Sequence, residues 1–286
     1  MENNKIKKQA KARTITRKSI ITLIIWFFGI MMFVPFLWMI SSSFKSTEAV
    51  FTYPIEWIPS NPTLHAYKKV LGGKVPFLRF YLNSIKVTGI AMIGTFFSCT
   101  MAGFAYAKLR FVGRDKLFLL KLMTTMIPGM VTLMPTFLLY SKLGLVDTHA
   151  ALYLGYFLGG TYGVFLMRQA FMSLPGDLLD AAKIDGASYP RTYWSIALPN
   201  VKASWTTLLF LYFIWSWNNY EGPLLYLRTP AKYTLPFAVK YLSDQYSQDT
   251  AAIMAANVLM LLPIMILFFV AQKSFVQSLV SSGIKG

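Results

Sequence analysis

The chain has 286 residues, of which 55% are hydrophobic and only 14% are charged, and its formal net charge is +17. Soluble domains carry about 25% charged residues. This composition therefore excludes an ordinary soluble domain, and with it the nucleic-acid-binding role that so basic a soluble chain would suggest. The charge fits a membrane protein whose basic loops lie on the cytoplasmic side. The single cysteine, Cys99, excludes an intramolecular disulfide and is expected to be an apolar packing residue.

Six strongly apolar runs approach or exceed the length needed to cross a bilayer, which is about 20 residues for a helix. In chain order they are 20–40, 87–107, 117–140, 150–167, 203–217 and 251–271. The fifth run is short, and we extend it on both sides. The sequence therefore predicts an all-α integral membrane protein with six transmembrane helices. Its parts are a basic N-terminal segment (1–19), a six-span domain (20–272) and a C-terminal tail (273–286).

A basic segment at 5–18 precedes the first run, as in a secretory signal peptide. The first run, of about 21 residues, exceeds the apolar core of such signals, and no Ala-x-Ala-like cleavage site follows Ile40. We therefore expect a retained membrane anchor.

Small residues recur every four positions in two of the spans, and this spacing lets helix backbones approach closely in lipid. The residues are Gly94, Ser98 and Ala102 in the second span and Gly155, Gly159 and Gly163 in the fourth. Pro128 and Pro135 in the third span and Pro263 in the sixth predict kinks.

The distribution of basic residues predicts the orientation in the membrane. With the N-terminus inside, the cytoplasmic pieces contain 17 of the 28 Lys and Arg residues and the outside pieces contain nine. Both termini and the segment 176–200 are therefore expected in the cytoplasm. The cores of the six spans contain no Asp, Glu, Lys, Arg or His, whereas ion-coupled carriers and pumps usually place such groups at membrane depth. Any transport through this bundle is therefore expected to be driven by something outside it.

The segment 176–200 is a polar helical hairpin between two apolar spans. Asp177 is placed to cap a short helix, Asp180 lies in its first turn, and Gly186 is placed to end it in a left-handed turn. A second helical piece starts near Ser188 and runs to Pro199. These local features alone are equally compatible with an ordinary interfacial helix.

The spacing within this hairpin resembles the signature E-A-A-x3-G-x9-I-x-L-P of the membrane subunits of ABC importers. The matching positions are Asp180, Ala181, Ala182, Gly186, Ile196, Leu198 and Pro199. Only Asp180 departs from the pattern, where the family usually has Glu. This change keeps the charge and shortens the side chain by one methylene.

The resemblance extends over most of residues 20–286. The stretches 126–154, 213–227 and 232–239 and the terminal sequence SSGIKG are similar to the carbohydrate-uptake branch, and the chain looks most like its maltose-permease-type second membrane subunit. This likeness implies the six-helix type I importer permease fold with a cytoplasmic coupling-helix hairpin. It also implies a subunit that forms half of a translocation pathway for sugars, in particular oligosaccharides, in a bacterial or archaeal cytoplasmic membrane.

The resemblance also implies partner chains. The hairpin would dock on a separate ABC ATPase dimer that binds ATP and Mg, and no G-x4-G-K-[ST] phosphate loop occurs in this chain. The implied ATPase-coupling residues are Asp180, Ala181, Ala182, Asp185, Gly186, Ile196, Leu198 and Pro199 of the hairpin and Lys285 and Gly286 of the tail. The other expected partners are a second homologous permease subunit, membrane lipid and an extracytoplasmic solute-binding protein, which would dock on the outside segments 41–82 and 218–250.

Sugar sites combine aromatic faces with amides, which donate and accept hydrogen bonds. The candidates for the substrate pathway are Trp215, Trp217, Asn218, Asn219 and Asn257. The aromatic residues also fit an interfacial belt or a structural role, Asn257 also fits a helix–helix contact, and the partner permease could supply most of the solute contacts.

His65 and His149 have no second ligand nearby in sequence, so we expect neither a metal site nor a catalytic constellation. Two alternatives stay open. One is an ABC permease for a non-sugar solute such as glycerol phosphate or a peptide. The other is a stand-alone secondary carrier or channel. A membrane enzyme ranks third, because catalytic groups are lacking.

Overall fold

The computed structural model describes residues 2–73, 75–245 and 249–283, with side chains for 16–73, 75–244 and 249–272. Throughout these ranges the protein is helical without β-strands, and this confirms the predicted all-α class. The α-helices are α1 (Glu2–Ser43), α2 (His65–Gly72), α3 (Phe77–Lys108), α4 (Arg114–Met123), α5 (Gly129–Lys142), α6 (Ala150–Tyr153), α7 (Thr161–Met172), α8 (Gly176–Ile184), α9 (Tyr189–Thr192), α10 (Leu198–Asn200), α11 (Lys202–Trp217), α12 (Glu221–Tyr226), α13 (Leu235–Gln245) and α14 (Thr250–Gly283). Short 3₁₀ segments lie at Thr124–Met126, Leu154–Leu158 and Pro230–Lys232, and a π-helical turn at Tyr193–Ala197.

The chain divides into two compact units, Met1–Gly73 with Tyr246–Leu259 and Lys74–Gln245 with Met260–Gly286. In the first unit, the ring of Phe44, just after α1, lies 5.3 Å from the ring of Tyr67 in α2, measured between centroids. The carboxylate of Asp249 accepts hydrogen bonds from Lys69 of α2 and from the hydroxyl of Thr47. The second unit contains the predicted hairpin.

The predicted spans correspond to helices of unequal regularity. Within the described ranges, four segments are long and apolar enough to cross a membrane, namely Thr16–Ser43, Phe77–Lys108, Ala150–Met172 and Thr250–Gln272. The third predicted span consists of two helices bent by 100°. The fifth, α11, has only 16 residues and is about 24 Å long at 1.5 Å per residue, shorter than the roughly 30 Å hydrocarbon core. Helical segments from Tyr189 to Asn200 precede it directly.

The bend in the third span is larger than the kink that the sequence predicted. Ile127, which precedes Pro128, is extended with ψ of 117°, so the helix ends there and α5 starts anew at Gly129. The pyrrolidine ring of a proline disfavours helical geometry in the preceding residue, which explains this break. Pro135 and Pro263 lie inside the continuous helices α5 and α14.

The fourth predicted span is also interrupted, so its three glycines do not form one helical stripe. Gly155 lies in a 3₁₀ segment with open space around it, and Gly159 has a φ of +65°, a left-handed conformation that favours glycine. Gly163 alone fulfils the packing prediction, because a methyl group there would lie 2.6 Å from Sγ of Cys99.

Helix α3 is the centre of the second unit and packs mainly on α7 and α11. A methyl group on Gly94 would lie 2.6 Å from the ring of Phe157, and one on Gly103 would lie 2.6 Å from Cβ of Met167. Cys99 and Met167 are fully buried at this crossing. The prediction that Cys99 is a packing residue agrees with its position in this core.

We predict that Gly103→Ala destabilises the purified chain in detergent. The added methyl overpacks the α3–α7 contact, which costs about 1–3 kcal/mol and outweighs the roughly 1 kcal/mol gained in helix propensity. Gly89→Ala is the matched control, because Gly89 lies in the same helix with nothing within 4 Å of the added methyl. The measurement is the thermal midpoint of each variant, and an equal midpoint for both would contradict the proposed close contact.

Candidate functional site

The first half of the hairpin is helix α8, which starts at Gly176 directly after Pro175 and ends at Ile184. Asp177 lies inside the first turn and forms no capping hydrogen bond, so its predicted role as the N-cap is wrong. The residue directly before the helix is Pro175, and its backbone conformation leads the chain into α8 without a side-chain cap. The charge of Asp177 still lies near the positive end of the helix dipole.

Helix α8 has one buried face and one exposed face. Leu179 and Ala182 are buried, and Leu179 belongs to the same hydrophobic cluster as Phe171 of α7. Asp180 and Ala181 are exposed, and the side chain of Ile184 is 87% exposed. Of the predicted contact positions in this helix, Ala182 therefore faces the protein's own core.

An exposed apolar stripe runs along α8, which the sequence analysis did not identify. Its members Leu178, Ala181 and Ile184 are spaced three residues apart, so they lie on one side of the helix. The signal was present in the sequence as a second apolar series beside Leu179 and Ala182. Which of the two series faces inward depends on tertiary packing, which the pattern does not specify.

The carboxylate of Asp180 forms an ion pair with Lys183, with Oδ1 and Nζ 2.9 Å apart. The hydrogen bond from Lys183, together with its charge and those of Arg110 and Lys108, holds the pKa of Asp180 below its ordinary value. Asp180 is therefore ionised at neutral pH, and the exposed face of α8 carries this carboxylate, paired with Lys183, beside its apolar stripe.

The turn that ends α8 has the predicted left-handed geometry, with a φ of +73° at Gly186. The backbone N–H of Gly186 donates to the carbonyl of Lys183 at 3.0 Å, and that of Ala187 donates to the carbonyl of Ala182 at 2.9 Å. These two bonds form a Schellman motif, which satisfies the last carbonyls of the helix. Nothing lies within 4 Å of an added Cβ at Gly186, so the backbone conformation alone requires glycine.

The second half of the hairpin connects to the core through the π-helical turn Tyr193–Ala197. The hydroxyl of Tyr193 lies 2.6 Å from Oγ1 of Thr100 in α3, and both residues are buried. Leu198 is buried, Ile196 is half-buried and Pro199 is exposed. Leu198 therefore anchors the hairpin to the bundle. The predicted contacts Lys285 and Gly286 lie outside the described residues.

Charged residues of α3, α4 and α7 hold the base of the hairpin. Nζ of Lys108 donates to the carbonyl of Leu174 at 2.9 Å. Cζ of Arg168 lies 4.2 Å from the ring centroid of Phe118, and its guanidinium lies 3.6 Å from the carboxylate of Asp115. These contacts fix where the chain leaves α7 and enters α8.

On the predicted solute side, Trp217 is 1% exposed and is unavailable to a solute in this conformation. Its Nε1 donates to the carbonyl of Met260 at 3.0 Å, and its ring stacks on Phe213 at 5.5 Å. The structure thus gives this residue a packing role. An indole is apolar over most of its area and needs one hydrogen-bond partner, so a core position satisfies it.

The other candidates remain accessible to different degrees. Trp215 is 50% exposed, with its ring 5.0 Å from that of Tyr212. Nδ2 of Asn218 donates to the carbonyl of Ile214 at 2.9 Å, and Oδ1 of Asn219 accepts from the backbone N–H of Gly222 at 2.9 Å. Asn257, in the first unit, donates at 2.9 Å to the carbonyl of Ile253 one turn earlier in α14.

Asn219 lines a cavity of about 450 Å³ between α5 and α12. Thr132, Thr136, Glu221 and Tyr226 also line the cavity, and the sequence analysis did not select them. The hydroxyl protons of Thr132 and Thr136 bond to carbonyls of their own helix at 2.9 and 2.7 Å, so the oxygen lone pairs stay available as acceptors. The two threonines are four residues apart, which is a detectable signal, but only the break at Pro128 brings their helix beside α12.

A carboxylate fixes the segment that follows α12. Oδ1 of Asp147 accepts hydrogen bonds from the backbone N–H groups of Arg228 and Thr229, both at 3.0 Å. Oδ2 accepts from the Thr229 hydroxyl at 2.6 Å and from Nζ of Lys232 at 2.9 Å. The hydrogen bonds from Thr229, then those from Arg228 and Lys232, hold the pKa of Asp147 well below its usual range.

We predict that Asp147 makes stability depend on acid. Because the pKa is lower in the folded state, the stabilisation is complete above the unfolded value of about 4 and is lost as pH falls below it. Between about pH 5 and pH 3 the thermal midpoint of the parent protein should therefore fall more steeply than that of Asp147→Asn. Parallel midpoint curves for the two proteins would contradict this role.

Comparison with known proteins agrees with the resemblance seen in the sequence. A family model described as the binding-protein-dependent transport system inner membrane component matches residues 87–281. The chain is 32% identical to the galactooligosaccharides transport system permease protein GanQ of Bacillus subtilis (strain 168), over 96% of this chain and 98% of that protein. It is 31% identical to the sn-glycerol-3-phosphate transport system permease protein UgpE of Escherichia coli O157:H7, over 82% of this chain and 86% of that protein.

The fold is similar to that of a chain in the crystal structure of a bacterial ABC transporter involved in the import of the acidic polysaccharide alginate. The TM-score is 0.78 at 24% sequence identity, and the match covers 90% of this chain and 95% of that chain. The two chains therefore share one fold.

Proposed function

Since the chain belongs to the family of binding-protein-dependent transport system inner membrane components, we propose that it is the permease subunit of an ATP-driven importer for sugars, in particular oligosaccharides. The observation that carries the proposal is the hairpin. Its helix α8 has one face packed in the core, a second face exposed with an apolar stripe and an ionised Asp180, and a rigid turn at Gly186. Such a helix suits docking on another chain.

The cavity beside α5 supports a neutral, hydroxyl-rich solute. Its lining offers hydroxyls, an amide and a phenol ring, and the only charge among the residues that line it is the carboxylate of Glu221. A phosphate group would be repelled by this carboxylate and would find no cation in the lining. This argument favours a sugar over glycerol phosphate, although UgpE is nearly as similar in sequence as GanQ.

Energy for transport would come from a separate ABC ATPase dimer, which binds ATP and Mg. The exposed face of α8 would lie in a groove of that ATPase, with Leu178, Ala181 and Ile184 in contact and Asp180 facing its basic groups. The tail residues Lys285 and Gly286 would reach the same dimer. This subunit would then have no catalytic residue of its own.

The remaining partners follow from the same family. A second homologous permease would complete the pathway, and a solute-binding protein would dock on the side opposite the hairpin, where Asp147 orders the segment after α12. Both termini and the hairpin would be cytoplasmic, in agreement with the excess of basic residues in those pieces. Closure of the ATPases on ATP would drive the bundle to an outward-open state.

We predict that Ala181→Arg abolishes ATP-dependent sugar uptake by the reconstituted complex. Ala181 is exposed, so the chain should still fold, but a bulky charge in the docking face costs several kcal/mol and weakens docking about 100-fold or more. Ala181→Ser keeps the small size and is the control. The measurements are sugar uptake into proteoliposomes and co-purification of the ATPase.

Two results would contradict the proposed coupling. One is normal uptake by Ala181→Arg with the ATPase still bound. The other is sugar uptake by the purified chain without any ATPase, which would establish a secondary carrier or a channel.

We predict that Thr136→Val raises the KM for sugar uptake by about 3- to 10-fold. The substitution keeps the shape of the side chain and removes one hydroxyl acceptor from the cavity, and a net hydrogen bond contributes about 0.5–1.5 kcal/mol. Thr125→Val is the matched control, because its hydroxyl also bonds to a carbonyl of its own chain, that of Leu122, but it does not line the cavity. Equal KM values for the two variants would exclude this cavity from the solute pathway.

A further inference from the structure

The segment 51–58, which we call the aromatic loop, exposes large apolar side chains outside any helix. The exposed fractions are 71% for Phe51, 95% for Tyr53, 57% for Ile55, 52% for Trp57 and 85% for Ile58. Exposing this many large apolar side chains to water is unfavourable in free energy. We therefore expect the loop to have an apolar partner.

The aromatic loop is fastened to the last turn of α1. The hydroxyl of Ser41 donates to the carbonyl of Trp57 at 2.6 Å, and the ring of Phe51 lies 6.0 Å from the ring of Trp38. Trp38 and Ser41 are only about 4.5 Å apart along the helix axis, at 1.5 Å per residue. The loop therefore lies beside the end of the apolar part of α1 instead of projecting away from it.

Two charged side chains of this region, Lys45 and Glu56, are bonded within it. Nζ of Lys45 donates to the carbonyl of Glu56, and the hydroxyl of Ser60 donates to the Glu56 carboxylate at 2.9 Å. The backbone N–H of Thr63 closes the loop by donating to the carbonyl of Phe44 at 2.8 Å. The large side chains that the loop leaves exposed are apolar or aromatic.

The membrane is the partner that this position indicates. No residue in the apolar part of α1 is buried by other residues of the chain. The aromatic loop continues this exposed apolar surface at the level where α1 ends. Trp and Tyr are the residues that favour the boundary between headgroups and acyl chains, where a ring finds an apolar side and a wet side.

We propose that the aromatic loop lies in the membrane interface, with Phe51, Tyr53 and Ile58 among the lipid headgroups and upper acyl chains, and that it sets the depth of α1 in the bilayer. The inference requires only that α1 crosses the membrane. It does not depend on the solute or on the docking of α8. A failure of the uptake predictions would therefore leave this proposal standing, and a failure of this proposal would leave them standing.

The test uses spin labels on single introduced cysteines in the intact complex in phospholipid nanodiscs, without the solute-binding protein. Ile58→Cys reports on the loop, Phe33→Cys on the exposed apolar face of α1 gives the lipid reference, and Lys68→Cys on the exposed side of α2 gives the aqueous reference. Collision rates with oxygen, which dissolves in lipid, and with a water-soluble nickel chelate are measured for each label. Cys99 is buried, and the parent complex treated in the same way gives the background labelling.

We expect the ratio of oxygen to nickel collisions at Ile58 to lie well above that at Lys68 and towards that at Phe33. A ratio equal to that at Lys68 would place the loop in water and overturn the proposal. Protection from both reagents would also overturn it, because a protein, such as the second permease, would then cover the loop.

Discussion

The close approach of α3 and α7 is the constraint on which the second unit depends. Only hydrogen atoms stand between these helices at Gly103 and Gly163, and a single methyl group at either position would overlap Met167 or Cys99. Helices in lipid gain little from hydrophobic expulsion, so association rests on such contacts. The position of α7 then determines where the chain turns at Leu174, which Lys108 of α3 holds by a hydrogen bond. The hairpin is thus positioned by packing inside the bundle.

The parts that the sequence predicted well are those governed by local rules. Gly186 ends α8 in a left-handed turn because only the backbone conformation matters there. The helical class and the hairpin's existence follow from apolar length and from charge, which are also properties of short segments. Family membership followed from the spacing between Asp180 and Pro199, and the comparisons confirm it.

The parts that the sequence did not predict depend on contacts between distant segments. Apolar length alone could not reveal that the fourth span is interrupted at Gly159, or that the third turns by 100° at Pro128. Trp217 was selected for its chemistry, yet a carbonyl on α14 satisfies its only donor. Thr132 and Thr136 line the cavity, which lies where α5 comes beside α12 after the bend. In each case the deciding partner lies far away in sequence.

The two faces of α8 have a mechanical consequence. Leu179 and Ala182 are in direct contact with a close-packed core, and such interiors are nearly incompressible. The Schellman turn satisfies the end of the helix, so a load on the exposed face meets no weak point at Gly186. We therefore expect a force on the outer face of α8 to reach the core through Leu179, which packs in the same cluster as Phe171 of α7, with little local deformation.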